Sequence, residues 1–290
     1  MRASVELSGE RLPPRLADLE EPPVRLYLHG ELPRGPAVAI VGTRKASPEG
    51  IAFTRGFAAE LAAAGVAVLS GGAKGIDTAA HEGALDVGGV TVVVTPAGFD
   101  KPYPEQNAGL YQRVVDAGGA YLSLFPDEAP ADRPTFFKRN ACLVALAHAV
   151  VVTQTPWISG ARNAAKWARQ LGRALFVVPH SPWVAAGCGA IQELRWGARP
   201  LDRAKEVLTF LRDAGLHPLP APVQGQLWPT ATPADADPVL QALRDGAVHA
   251  DEIVERTGLS LATVQQRILT LALSGVLVPG PLGSLKHVTD

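Results

Sequence analysis

Cysteine is nearly absent: Cys142 and Cys188 are the two in 290 residues. They lie far apart and lack metal-ligand spacing, so they build no disulfide framework and fit a reducing compartment. Neither sign of charge is in excess. Twenty-seven Lys and Arg against 28 Asp and Glu leave a formal net charge of -1. No global basic field therefore recruits nucleic acid, and any basic site must be local. No run is long and apolar enough to span a bilayer. The N-terminus is polar and Pro-rich, without the apolar core of a signal peptide. These absences point to a cytoplasmic chain with no membrane partner. No Ser-His-Asp order, Cys-His pair or carboxylate cluster stands out either, so no catalytic residue, metal or cofactor is assigned. What remains is the composition of an ordinary folded protein, 47% hydrophobic and 19% charged, at a length suited to one large domain or two.

Residues 1–24 carry many charges and prolines with little periodicity, and read as an N-terminal extension. "VRLYLHG" (Val24 to Gly30) reads as a short edge strand. A regular alternation follows. Apolar runs at Ala37–Val41, Val66–Leu69, Thr91–Thr95, Ala120–Leu124, Ala149–Thr153 and Ala174–Val178 predict strands buried on both faces. Helical patterns separate them at Gly50–Ala64, Ile76–Leu85, Ala108–Asp116, Phe136–Ala147 and Ala161–Leu171. Glycines at 65, 88, 89, 118, 119 and 172 punctuate the ends. Ala190–Trp196 and Asp202–Leu211 add two later helices. The expected fold class is α/β: a doubly wound, mainly parallel sheet over residues 25–212. Residues 213–237 are rich in Pro, Ala and Thr without a period, and read as a linker. Over 238–290, helices at Pro238–Arg244, Ala250–Arg256 and Ser260–Ser274, with Ser260 as N-cap, precede the hairpin pattern "GVLVPGPLGSLKHV". Three helices and a hairpin are the winged helix-turn-helix plan.

Two strand ends carry small residues and cations. In "VLSGGAKGIDTAAHEGAL" (Val68 to Leu85), a strand runs through Ser70, Gly71, Gly72, Lys74 and Gly75 into a helix. Glycines admit close approach, and a helix start attracts anions. The loop is neither G-x-G-x-x-G nor a P-loop, so a plain tight turn is the alternative. In "AVAIVGTRKASPEG" (Ala37 to Gly50), Gly42, Thr43, Arg44 and Lys45 follow a second strand. Ser47 and Pro48 then open a helix as N-cap and first residue. Ligands of open parallel sheets bind where such ends meet. Phe136, Phe137, Lys138 and Arg139 interleave aromatics with cations, as single-strand binding requires. Core packing is the other role for the phenylalanines, with one of the two expected in the core. Asn140 serves as a cap or as a partner for a base edge. Asp77 and His81 share a helix face; an acid–base pair is one reading, and the favoured one has Asp77 at the helix start with His81 packed beside it. His180 reads as structural.

In its motifs "VGTRKASPEG", "LSGGAKGIDTAAHEGAL", "GGVTVVVTPAGFDKPYPEQNAGLY", "FFKRN", Ser159-Gly160, "GRALFVVP" and Gly197-Ala198, the chain resembles the DNA-processing protein A (DprA/Smf) family of natural transformation. The resemblance implies an extended Rossmann fold that binds single-stranded DNA, forms a homodimer and loads RecA onto incoming DNA. It adds Ser159, Gly160 and Arg162 to the candidate DNA-binding residues. Members often carry an N-terminal helical domain, which this sequence is expected to lack or to have lost. Some positions depart from the family pattern: Arg139-Asn140-Ala141 stands for its RNR triplet, Gln154 for an acidic residue, Ala161-Arg162-Asn163-Ala164 for Ser-Leu-x-Thr, and Leu124 for a glutamate. Two rivals are weighed. A phosphoribohydrolase needs a P-G-G-x-G-T run, broken here as Pro96-Ala97-Gly98-Phe99. A winged-helix transcription regulator needs a basic recognition helix, where this chain offers Arg267 and crowds the preceding helix with Asp251, Glu252 and Glu255. That module reads better as a protein or dimer contact.

Overall fold

The computed structural model describes residues 4–216 and, beyond them, 238–245, 247, 249–259, 263–265, 268, 277–279 and 285–287. The chain forms two compact units, Met1–Pro222 and Val223–Asp290.

The first unit is built on one nine-stranded sheet. In chain order its elements are β1 (Val5–Ser8), β2 (Arg25–Gly30), β3 (Ala37–Val41), α1 (Pro48–Ala63), β4 (Ala67–Ser70), α2 (Ile76–Asp86), β5 (Thr91–Thr95), α3 (Ala108–Asp116), β6 (Ala120–Ser123), α4 (Arg133–Leu146), β7 (Ala149–Val152), α5 (Gly160–Gln170), β8 (Ala174–Val177), α6 (Gly189–Arg195), β9 (Arg199–Pro200) and α7 (Ala204–Asp213). The strand order is β1-β2-β6-β5-β4-β3-β7-β8-β9. Pairing from β6 through β9 is parallel, while β2 joins β6 and β1 joins β2 antiparallel. This is the expected doubly wound, mainly parallel Rossmann-like sheet.

Both faces are covered, which is why the central strands are continuous apolar runs. On one face Phe57, Leu61, Ile76, Ala80, Val207 and Leu211 pack on Val38, Ile40 and Val68. On the other, Leu143, Val144, Ala164 and Ala168 pack on Ala39, Val41, Val92 and Val150. Cys142 of α4 is fully buried in that second layer. Each fully buried Leu or Ile contributes about 1.5–3 kcal/mol.

One expectation is corrected. The strand expected at Val24–Gly30 forms over Arg25–Gly30, but it is not an edge: β1 pairs outside it, with Val5 opposite Leu28 and Ser8 opposite Arg25. Leu16 and Leu19, from the same Pro-rich segment, are buried in the core. A four-residue edge strand with a single covered face leaves no apolar run to read.

In the second unit, α8 (Pro238–Arg244) and α9 (Ala250–Thr257) precede an antiparallel hairpin of β10 (Leu277–Pro279) and β11 (Leu285–His287). Val239, Leu240, Ala242, Ala247, Ile253 and Val264 form its small core. Gly258 ends α9 in the left-handed region at φ 69°. Most of the predicted helix Ser260–Ser274, including Ser260 and Arg267, and the linker from residue 217 lie outside the described residues.

Candidate nucleic-acid interface

After β3 the chain winds β4, β5 and β6 to one side, then α4 carries it back to place β7 on the other flank of β3. The loops leaving β3 and β7 depart to opposite faces, α1 to one and α5 to the other. Such a switch point opens a crevice at the C-terminal strand ends. Here it holds a cavity of about 750 Å³ lined from five loops and helix starts.

The crevice floor is fixed by interlocking backbones. Thr43 is buried; its N–H donates to the Gln154 carbonyl (2.8 Å), and its own carbonyl accepts from Ile76 N–H (3.3 Å). Gly75 precedes α2 at φ 80°, where an added Cβ would sit 2.5 Å from the Thr43 carbonyl oxygen. The two glycine loops therefore touch, and a side chain at 75 would wedge them apart. Gln154 accepts from Ser47 N–H (2.9 Å) and donates to Ser47 Oγ (3.2 Å), bracing the N-cap of α1 with a neutral group.

Gly71 serves this chain's own cation. The room it leaves is filled by the Arg139 guanidinium, 1.3 Å from where a Cβ would stand. Arg139 is buried beside Asp77, and its Nε has no partner among the described residues. Asp77 is also buried and accepts from Ala73 N–H (3.3 Å). Burial pushes its carboxyl up, against the opposing charges of Arg139 and Arg44. Ser70 Oγ donates to the Ile40 carbonyl (2.6 Å), and Gly72 O accepts from Tyr111 Oη (2.7 Å) and Asn107 Nδ2 (2.9 Å). Of this loop Ala73 lines the cavity; Ser70, Gly71, Gly72 and Gly75 stand behind it, and Lys74 is exposed outside it.

The mouth is where cations and aromatics meet. Arg44 is exposed, with Nη1 on Tyr103 Oη at 3.2 Å. Its guanidinium lies 4.9 Å from the Phe136 ring centre and 5.6 Å from that of Tyr103. Phe136 and Tyr103 meet edge to face at 5.2 Å, and Arg139 lies 5.8 Å from the Phe136 ring. Phe137 is 46% exposed and Phe136 is half-buried on the cavity wall, so neither phenylalanine is core, contrary to expectation. The reason is the start of α4: it begins at Arg133, three residues early, on an Asp132–Thr135 capping box. That phase turns Phe136 and Phe137 toward the crevice and buries Arg139.

Asn140 Nδ2 donates to Asn163 Oδ1 (3.1 Å) and Gly160 O (3.4 Å), so Asn140 ties α4 to the start of α5 from the cavity wall. Ser159 is the N-cap of α5, accepting from Ala161 N–H (3.2 Å), and lines the cavity with Gly160 and Gly42. Lys45 and Lys138 are exposed outside the cavity. Arg162 is engaged elsewhere. Its Nε pairs with the fully buried Glu193 at 2.8 Å, Arg169 pairs with the same carboxylate, and the Arg162 guanidinium lies 5.3 Å from both the Trp157 and Trp196 rings.

His81 faces the sheet. Its Nδ1 lies 2.7 Å from Thr91 Oγ1, whose proton is given to Val68 O, so Nδ1 carries a proton and donates. Burial lowers its pKa to about 3, and it does not reach the cavity that Asp77 lines. His180 Nε2 is 2.9 Å from the Thr153 carbonyl, a structural contact. Tyr103 is the residue of the mouth that the sequence reading missed. Its only signal is an aromatic set between Pro102 and Pro104 in the loop after β5.

The family model for DNA recombination-mediator protein A matches residues 5–212, and that for the DprA winged helix domain matches 224–281. A putative DNA processing protein DprA of Mycobacterium tuberculosis is 39% identical over 241 residues, 83% of this chain and 61% of that protein. The chain thus spans about three fifths of the length of that relative. Protein Smf of Escherichia coli is 30% identical over 287 residues, 97% of this chain and 76% of its own length. The solved DprA of Streptococcus pneumoniae superposes with a TM-score of 0.67 at 29% identity, over 72% of this chain and 74% of that one. DNA processing protein A of Helicobacter pylori, solved for its single-stranded DNA binding mode, gives 0.65 at 29% identity, over 72% and 96%. With residues 5–212 and 224–281 matched in this way, the chain belongs to the DNA recombination-mediator protein A family.

Proposed function

We propose that the chain is a cytoplasmic recombination mediator that binds single-stranded DNA without strong sequence preference, protects incoming DNA and loads RecA onto it during natural transformation. The observation that carries this reading is the Arg44–Tyr103–Phe136 cluster at the mouth of the switch-point crevice. Single strands need aromatic faces for bases and cations for phosphates, and both stand there within contact of each other. The relative from Helicobacter pylori with a single-stranded DNA binding mode supports the same reading. RecA loading and a homodimer are the finer parts of the proposal and rest on family membership. Co-elution with RecA and the sedimentation mass of the pure chain test them.

The decisive measurement is binding of labelled single-stranded and duplex oligonucleotides across a salt series. Wild type should prefer single strands. Arg44→Glu should bind them about tenfold more weakly at low salt, with a shallower salt dependence. A mutant that binds like wild type would show the site is misplaced. The crevice works by binding, without turnover: Asp77 lies on its wall, but His81, four residues on, faces β5. Release of free base from nucleoside monophosphates by pure protein, abolished in Asp77→Ala, would overturn this part.

A further inference from the structure

The crevice continues past Phe137. Phe137 and Asn163 line it and also line a second groove of about 700 Å³. This groove lies between the segment Leu19–Arg25 and one face of α4 and α5. Helix spacing builds its wall. On α5, Asn163, Lys166, Trp167 and Gln170 stand at i, i+3, i+4 and i+7 and form one stripe, and on α4 Phe137 and Lys138 each stand one turn from Ala141. Helices after parallel strands start at the strand C-terminal ends, so Asn163 marks the crevice end of the stripe and Gln170 the far end. From the one to the other the helix rises about 10 Å, enough wall for about three nucleotides at a stacked spacing.

The chemistry along it matches a strand leaving the first cavity. Lys138 and Lys166 are exposed and make no ion pair among the described residues. Phe137 stands on the ridge between the two hollows with its ring exposed, and Trp167 flanks the second. Pro22, Pro23, Leu124 and Phe125 supply apolar surface opposite. Glu20 and Glu21 also line the groove and pair with neither lysine, so they repel a polyanion toward the helical wall.

We propose that this groove is a second single-strand subsite, reached over Phe137, with Lys138 and Lys166 on phosphates and Phe137 and Trp167 beside bases. It rests on the reading of the first cavity as a single-strand site. The test uses the full chain, wild type and Lys166→Glu, with oligothymidylates of about 6 and about 20 nucleotides. The short strand should bind both proteins equally. The long strand should bind the variant about tenfold more weakly at low salt, its salt slope lower by about 0.7 for each phosphate no longer neutralised. Long strands alone should change the Trp167 emission, a change absent in Trp167→Phe. Unchanged long-strand affinity in Lys166→Glu, or equal weakening of both lengths, overturns the second subsite and leaves the first intact. A wild type that binds neither length overturns both.

Discussion

Arg44 is held by two rings and a hydroxyl, so its charge is presented in one place instead of swept through solvent. Phe136 is the shared element of that arrangement, touching Tyr103, Arg44 and Arg139. Truncating it in Phe136→Ala should therefore weaken single-strand binding by about 1–3 kcal/mol, the worth of one stacked base, while Tyr103→Phe keeps the ring and should cost less. Titration calorimetry with an oligothymidylate checks both. Histidines set a separate, acid-side behaviour. His81 in the fold protonates near pH 3, against 6.5 unfolded, because it is buried. His148 is lowered to about 4, by burial first, then by the Arg15 charge, and its Nδ1 accepts from Ala37 N–H. The unfolded chain gains these protons first, so stability is full above pH 6.5 and falls as pH drops toward 3. The fall for His81 is about 1.4 kcal/mol per pH unit. Below pH 6.5 the two histidines together give about 2.8 kcal/mol per pH unit, which urea unfolding between pH 7 and 4.5 should show, and His81→Gln should remove about half of it.

At the scale of elements, β3, β5 and α3 are legible to the residue from sequence, because two-sided burial makes a strand uniformly apolar and glycines mark helix ends. The first turn of α4 is not: Arg133, Pro134 and Thr135 carry no apolar period, and only the Asp132 cap reveals the start. That cap anchors the first turn, which carries Phe136. Asp132→Ala should cost about 1 kcal/mol of stability and also weaken single-strand binding, since the turn it anchors carries Arg133, Phe136 and Phe137. Thermal melts and binding on the same sample separate the two effects. The crevice is legible where glycine and cations follow a strand, at Gly42–Arg44. It is not legible where helix phase sends a cation elsewhere, as for Lys138 and Arg162, or where tertiary packing brings in a residue from a third loop, as for Tyr103.

For the molecule as a whole, the division at Pro222 and Val223 predicts that the first unit stands alone. Leu216 packs on its core, and its N–H closes on Leu211 O, so a truncation should retain Leu216 and not stop at Arg212. From Pro238 onward the cations Arg244, Arg256, Arg267 and Lys286 are outnumbered by the carboxylates of Asp245, Asp251, Glu252, Glu255 and Asp290. That slight acidity offers phosphates little, so the chain ending at Leu216 should keep most of its single-strand affinity. A folded truncation that loses it would assign the DNA contact to the winged helix. The burial of Cys142 gives a way to watch these structures open. Its thiol is pushed up to about 12, while Cys188 is half-buried at the start of α6. A maleimide should thus modify the native chain at Cys188 and wait at Cys142 for α4 to lift from its layer. The unmodified protein thereby contains its own clock for the opening of the wall that carries Phe136 and Phe137, and a bound single strand should slow it.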